Sequence, residues 1–350
     1  MSQKDSLNPF APSPHAFLLI LLILILLHLF TATSISGQQF STSSSIFESK
    51  NQTSQNNKPI QFRTQVNQVV VYASIYDKEN QLVSDLSRDD FIVSEDNVEQ
   101  ELSYFGQDDV PSTLGMVIDS SGSMRNKYEL VNEASLLFLT MNNPLNELFL
   151  VSFKNEVTLE NNFTRDVEDI KYSLSNIIIS GGTALYDAIY LAVNRASEGA
   201  ELKKTIIVFT DGEDRDSFYT YEELLGKIRE SDVQIYMVAF LDFDLSNQGG
   251  FFGTFKSDQE KVKDKINTIS EYTGGKAFFP EQINQLNRIF QSIAHEIRHQ
   301  YRLAYISNNT TPNNKWRKIN VVLKNTQGKG VKVRARKGYY PNKGKATTTQ

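Results

Sequence analysis

The sequence predicts an α/β protein: a doubly wound, mostly parallel sheet inserted into a small β-sandwich built from strands at the two ends of the chain. Three observations lead there. Short apolar runs, Leu114–Ile118, Leu148–Phe153, Ile206–Phe209 and Ile235–Phe240, alternate with the amphipathic stretches Glu129–Met141, Ala184–Ala196, Tyr221–Glu230, Lys261–Tyr272 and Ile283–His299. That alternation is expected of strands buried on both faces and covered by helices. Strand-like segments rich in β-branched residues flank this region on both sides. The termini of an open α/β domain usually lie close together, which makes such an insertion feasible.

The elements follow in order. Residues 1–36 are expected to be a signal peptide or an N-terminal anchor. Phe17 to Phe30 is apolar throughout except for His28. At 14 residues it falls short of the roughly 20 that span a bilayer and fits the roughly 7–15 of a signal-peptide core. Ser34-Ile35-Ser36 resembles a cleavage site, but the poorly charged start, Lys4 offset by Asp5, leaves open a membrane tether through residues 17–30. Either way the body of the protein is expected to be exported, to the periplasm, the cell envelope or beyond. Residues 37–61, rich in Ser, Gln and Asn, read as a flexible linker.

Residues 62–110 form a β-rich, Ig-like segment. Val66–Tyr76 is its first strand, Phe91–Val93 and Leu102–Phe105 are two more, and Glu95-Asp96-Asn97 is the turn between those two. Residues 111–300 hold the α/β pattern. Residues 301–340 return to strands, Tyr301–Ile306, Trp316–Leu323 and Gly330–Tyr340, expected to pair with 62–110. In the last, Val331, Val333 and Ala335 alternate with Lys332, Arg334 and Arg336, so that one face is apolar. The basic face is expected to be solvated, with attraction to anionic lipid or polymer as the functional alternative. Residues 341–350 read as a disordered tail.

Composition narrows the function. The chain of 350 residues is long enough for about two domains. A net charge of −5 argues against a generally basic nucleic-acid binder. From Tyr301 to Gln350 there are twelve Lys or Arg and no Asp, Glu or His, leaving −17 on the residues before. The absence of Cys excludes disulfides, thiolate metal sites, Cys nucleophiles and a lipid-modified N-terminal Cys.

In an open parallel sheet, ligands bind beyond the carboxyl ends of the strands. Three loops at that edge carry oxygen ligands: Asp119-Ser120-Ser121-Gly122-Ser123 after Leu114–Ile118, Ser180-Gly181-Gly182-Thr183 before a helix, and Thr210-Asp211-Gly212 after Ile206–Phe209. Asp119, Ser121, Ser123, Thr183 and Asp211 together offer two carboxylates and three hydroxyls, the ligand type a hard divalent cation requires. Ser121 or Ser123 as a helix N-cap, and Gly181-Gly182 as an ordinary tight turn, are the structural alternatives. Glu213-Asp214 and Asp216 continue the third loop, either as a second cation site or, the preferred alternative, as a solvated loop.

The set resembles the metal-ion-dependent adhesion site of the von Willebrand factor A-type family, in which Asp-x-Ser-x-Ser is joined by a Thr from a second loop and an Asp from a third. The resemblance covers roughly Pro111 to His299. The flanks, Asp89 to Asp96 and Arg334 to Tyr340, resemble von Willebrand factor A-related proteins of Acidobacteria. The fold implied is Rossmann-like. The resemblance further implies Mg²⁺, or Mn²⁺ or Ca²⁺, held by Ser121, Ser123 and Thr183, with Asp119 and Asp211 acting largely through bound water. One exchangeable position would then take a Glu or Asp side chain from a protein partner. The expected function is exported, metal-dependent protein binding or adhesion without catalysis. An assembly or chaperone factor for an envelope complex is the alternative, and a metalloenzyme a remote one.

The remote alternative rests on His295-Glu296-Ile297-Arg298-His299, which matches H-E-x-x-H. Catalytic zinc needs a third protein ligand, and no His, Asp, Glu or Cys follows His299. Leu286, Ile289, Phe290, Ile293 and Ile297 form the apolar stripe of this helix, which puts both His on the solvent side. A surface pair is the better account. Phe251 and Phe252, in the glycine-rich loop Gly249–Gly253, are candidates for partner contact or for folding back onto the domain.

Overall fold

In β1 (Gln68–Tyr76), alternate residues Val69, Val71, Ala73 and Ile75 are buried, the period-two pattern of a strand with one face on a core. The computed structural model describes residues 68–212, 214–241, 258–311, 313–324 and 330–341, all within the compact unit Thr64–Gln350. The signal or anchor segment, the linker, Phe251, Phe252 and the tail beyond residue 341 lie outside the described residues.

β2 (Phe91–Glu95), β3 (Val98–Gln100) and β4 (Leu102–Gly106) complete the N-terminal strands. Asp96 and Asn97, both with positive φ (49° and 68°), make the tight turn between β2 and β3. Glu95 belongs to β2 rather than to that turn, and it is buried.

The α/β region then runs β5 (Ser112–Asp119), α1 (Tyr128–Met141), β6 (Glu147–Phe153), β7 (Val157–Thr164), α2 (Val167–Ser175), α3 (Leu185–Glu198), β8 (Lys203–Thr210), α4 (Tyr221–Arg229), β9 (Gln234–Ala239), α5 (Asp258–Thr273), β10 (Ala277–Phe278) and α6 (Leu286–Arg298). Its six strands are ordered β10-β9-β8-β5-β6-β7, parallel except for β7, which runs antiparallel at the edge. β5 and β8, at the centre, are buried at every position.

Successive β5 residues feed opposite cores. Leu114, Met116 and Ile118 pack with Phe138 of α1 and Phe290 of α6. Val117 packs with Ala188 and Ala192 of α3, Leu224 of α4 and Ile269 of α5. Helices thus cover both faces, the doubly wound architecture. Gly115 is required by a close approach: a Cβ there would stand 2.2 Å from Phe149 Cζ.

β11 (Tyr301–Ile306), β12 (Arg317–Leu323), β13 (Lys332–Ala335) and β14 (Gly338–Tyr339) return to the β-rich part. They join the N-terminal strands within two four-stranded sheets, β13-β1-β11-β4 and β14-β12-β2-β3. Between the sheets Val71, Ile75, Phe91, Val93, Leu303, Tyr305, Ile319 and Val321 form one core. The insertion leaves the sandwich after β4 and re-enters at β11, and these strands are neighbours, with Gly106 opposite Arg302. Its two ends therefore start side by side.

Two expectations about the C-terminal strands need correction. Gly330–Tyr340 is not one strand: β13 and β14 lie in different sheets, and the chain crosses between them at Arg336-Lys337. Gly338 permits the crossing, since a Cβ there would meet Arg317 O at 2.3 Å. Nor is the basic face solvated as a whole. Lys332 is exposed, but Arg334 reaches the buried Glu296 at 2.7 Å, and Arg336 is half-buried with its Nε donating to Gly338 O.

Candidate metal centre

The site grows from the end of β5. Asp119 is its last residue and is fully buried. Ser121 N–H donates to Asp119 Oδ1 at 2.9 Å, and the Thr210 hydroxyl donates to Oδ2 at 2.8 Å. Ser120 ties the loop to its neighbours: its N–H and hydroxyl both donate to Phe153 O, and its carbonyl accepts from Ser180 N–H at 2.9 Å. Gly122 N–H donates to Gly181 O at 3.1 Å, so the first and second loops are stitched together by backbone.

Ser121 Oγ and Ser123 Oγ lie 3.1 Å apart, and Ser123 Oγ donates to Asp211 Oδ1 at 2.8 Å. Lys127 Nζ donates to the other Asp211 oxygen, Oδ2, also at 2.8 Å. The first and third loops are therefore in direct side-chain contact. Thr183 opens α3 from the second loop. Its N–H donates to Asp216 Oδ2 at 2.7 Å, and its carbonyl accepts from Arg215 N–H at 2.9 Å and Asp216 N–H at 3.2 Å. The Thr183 hydroxyl lies 4.0 Å from where a Cβ on Gly212 would stand, beside Asp211. All five residues thus share one edge of the sheet, although the backbone bonds of Thr183 go to Arg215 and Asp216, and its loop meets the first through Ser180 and Gly181.

The electrostatics single out Asp119. Burial pushes its carboxyl pKa up, hydrogen bonds from Ser121 and Thr210 oppose that, and the nearby Asp211 charge adds to it. Among the described residues Asp119 has no cationic side-chain partner, whereas Asp211 has Lys127. A buried carboxylate held only by neutral donors fits a compensating cation, and the all-oxygen donor set fits a hard divalent ion.

In the acidic continuation of the third loop Asp216 is exposed, as a solvated loop requires, and Asp214 is half-buried, yet both are engaged by hydrogen bonds. Asp214 accepts from Tyr186 N–H at 3.0 Å and from Ser217 Oγ, and burial pushes its pKa up. Asp216 binds Thr183 N–H as above, and Asp187 accepts from Phe218 N–H and Tyr219 N–H at 2.8 and 2.9 Å. These carboxylates brace the start of α3 through backbone donors, where a negative charge also suits the helix dipole. Glu213 lies outside the described residues.

Two residues of the site were not singled out from sequence. Thr210 is the polar residue that follows the apolar run Ile206–Phe209 in β8, and Lys127 lies four residues beyond Ser123; position in the chain alone marks neither as facing the loops. In the other candidate motif, the rings of His295 and His299 lie 4.1 Å apart and His295 is exposed. Glu296 points away from them into the protein and accepts from Ser74 Oγ at 2.8 Å, Tyr76 OH at 2.5 Å and Tyr236 OH at 2.9 Å. Among the described residues no group of three or more His, Cys, Asp or Glu is placed to hold a metal ion.

Parallel strands with helices on both faces, and Asp119, Ser121 and Ser123 on the loop leaving the central strand, define the domain type. Residues 114–213 match the von Willebrand factor type A domain. No curated protein matches the chain. Solved structures similar to this chain include an aerotolerance-related membrane protein from Bacteroides fragilis, at 18% identity, covering 53% of this chain and 98% of that one, with a TM-score of 0.41. A von Willebrand factor type A protein from Catenulispora acidiphila is 11% identical over 80% of this chain and 74% of its own, with a TM-score of 0.45. Proximal thread matrix protein 1 from the mussel byssus, with a zinc-occupied MIDAS motif, is 15% identical, with 54% and 48% covered and a TM-score of 0.43. The chain spans about half the length of that mussel protein.

Proposed function

We propose that this chain is an exported, non-enzymatic protein-binding module whose type A domain holds a divalent cation, Mg²⁺ or Mn²⁺ or Ca²⁺, and through it engages a Glu or Asp side chain of a protein partner. The observation that carries this is the convergence of the three loops, with Ser121 against Ser123 and Ser123 against Asp211 beside a buried Asp119. Ser121, Ser123 and Thr183 supply neutral oxygens, and Asp119 and Asp211 supply the charge. A divalent ion bound there supplies an electrophilic position that a carboxylate can fill. Neutral hydroxyls do not cancel the cation's charge, so this donor set favours gripping an anion.

Glu296 supports the non-enzymatic reading, because its carboxylate is committed to Ser74, Tyr76 and Tyr236 and is turned away from His295. Export, and tethering through residues 17–30, belong to the same proposal and rest on the apolar N-terminal run. The test is thermal melting with Mg²⁺ or Mn²⁺ against chelator, for the wild type and Asp119→Ala. The ion should raise the melting temperature of the wild type only. If neither the ion nor the substitution shifts the melt, the site does not bind metal.

A further inference from the structure

Asp211 is gripped at both carboxylate oxygens by the first loop, at Oδ1 by Ser123 Oγ and at Oδ2 by Lys127 Nζ, each at 2.8 Å. Both donors come from one short segment, the 3₁₀ turn Gly122–Asn126 and the residue that ends it. The Asp211 side chain is 1% exposed and that of Lys127 22%, so the pair is partly shielded from water and its charges interact more strongly than on an open surface. Asp119, by contrast, is held by neutral donors. An internal cation therefore stands on one of the two carboxylates of the metal centre.

We propose that Lys127 sets the charge of the site. Its ammonium closes the third loop onto the first, weakens the hold on a divalent cation, and makes the occupied centre more positive, so that it favours an anionic partner. The reasoning is Coulombic. Whatever other charges surround the two carboxylates and the dication, an ammonium beside them raises the local sum by one unit. The same ammonium repels the incoming dication. Metal affinity is thereby exchanged for carboxylate affinity by a side chain that ligates neither. This inference rests on the metal-binding reading above.

The test compares the full chain as wild type, Lys127→Met and Lys127→Arg. Mn²⁺ binding is followed by the electron paramagnetic resonance of free Mn²⁺, and acetate binding to the Mn²⁺-loaded protein by water-proton relaxation. Lys127→Met should bind Mn²⁺ about tenfold more tightly and acetate several-fold more weakly, while Lys127→Arg stays near wild type. The metal-free melting temperature of Lys127→Met should fall as the clasp to Asp211 is lost. A lysine acting only as a structural clamp would lower the melt and leave Mn²⁺ affinity unchanged or reduced, and that result overturns the inference. So would unchanged or tighter acetate binding by Lys127→Met. If neither wild type nor Lys127→Met binds Mn²⁺, the metal-binding reading fails and this inference with it. Equal Mn²⁺ binding by the two sinks this inference alone.

Discussion

Arg334, on strand β13 of the sandwich, places its Nη2 2.7 Å from Oε2 of Glu296, on the last helix of the inserted domain. The Glu296 side chain is 2% exposed and also takes hydrogen bonds from Ser74 and Tyr76 of β1 and from Tyr236 of β9. The two parts of the chain are thus joined by a buried carboxylate satisfied from both sides. Glu95 plays a similar part inside the sandwich, with Arg317 Nη1 at 3.2 Å and the hydroxyls of Tyr305 and Tyr339 at 2.9 Å.

Removing one partner of such a pair leaves the other charge buried. Arg334→Met should cost about 3 kcal/mol of unfolding free energy, read by urea denaturation. Adding Glu296→Gln in the same protein should recover part of that loss, because the orphaned charge is gone. A loss under about 0.5 kcal/mol for Arg334→Met would mean that the hydroxyls of Ser74, Tyr76 and Tyr236 satisfy Glu296 without it.

Thr210→Val keeps the shape of the side chain but removes the hydroxyl that donates to Asp119 Oδ2 at 2.8 Å. Stability in chelator should fall by about 2 kcal/mol, as expected of a hydrogen bond to a charged group. The Mg²⁺-induced rise in melting temperature should shrink as well, since Asp119 loses the group that orients it. Wild-type values for both would show that Thr210 does not hold the carboxylate.

Gly181 has a φ of +79°, and a Cβ there would stand 2.2 Å from Asn155 Oδ1. That oxygen accepts the Gly182 N–H at 2.9 Å. Gly181→Ala should therefore strain the backbone and displace the second loop, at about 1–2 kcal/mol. Urea denaturation gives the cost, and a reduced Mg²⁺ melt shift would show that the Thr183 loop has moved with it.

Lys203 is buried at the start of β8, its Nζ donating to Ile297 O and lying 5.0 Å from the Tyr72 ring centroid. Burial pulls its pKa down from 10.5 to about 8. The folded state thus releases the proton first, so stability should rise as pH climbs from about 8 to 10.5 and be lost as pH falls through about 8. The gain is at most about 3 kcal/mol. Tyr72 acts oppositely: burial pushes it up to about 12, so its contribution is complete below its ordinary 10 and is lost as pH rises toward 12. Urea denaturation across this range should show maximal stability near pH 10, and Lys203→Met should shrink the rising limb, leaving the part that comes from Lys276, whose pKa burial also pulls down. A rising limb unchanged in Lys203→Met would assign it to another group.

Much of the fold was legible because burial leaves periodic marks. The four central strands, β5, β6, β8 and β9, are apolar runs, and the helices over them carry apolar stripes. β7 escaped notice because an edge strand is buried on one side only, and Val157–Thr164 reads as mostly polar. α2 follows it with a regular N-cap, Asp166 accepting Glu168 N–H at 2.9 Å, but is only nine residues long. The burial of Glu296 leaves no mark in the sequence for a related reason: only its neighbours from other elements make a buried carboxylate on an amphipathic helix tolerable.

The sequence by itself determined which oxygen-bearing side chains stand at the ends of β5 and β8 and at the start of α3. Strand periodicity and the parallel order send those three points to one edge of the sheet. The tertiary structure decided how they meet: that Thr210 holds Asp119, that Asp214 and Asp216 brace α3, and that Lys127 rather than solvent faces Asp211. It likewise decided that Arg334 turns inward to Glu296. The physical reason is range. Burial patterns repeat along the chain and can be read locally, whereas a charge is buried or solvated according to partners that arrive from distant segments.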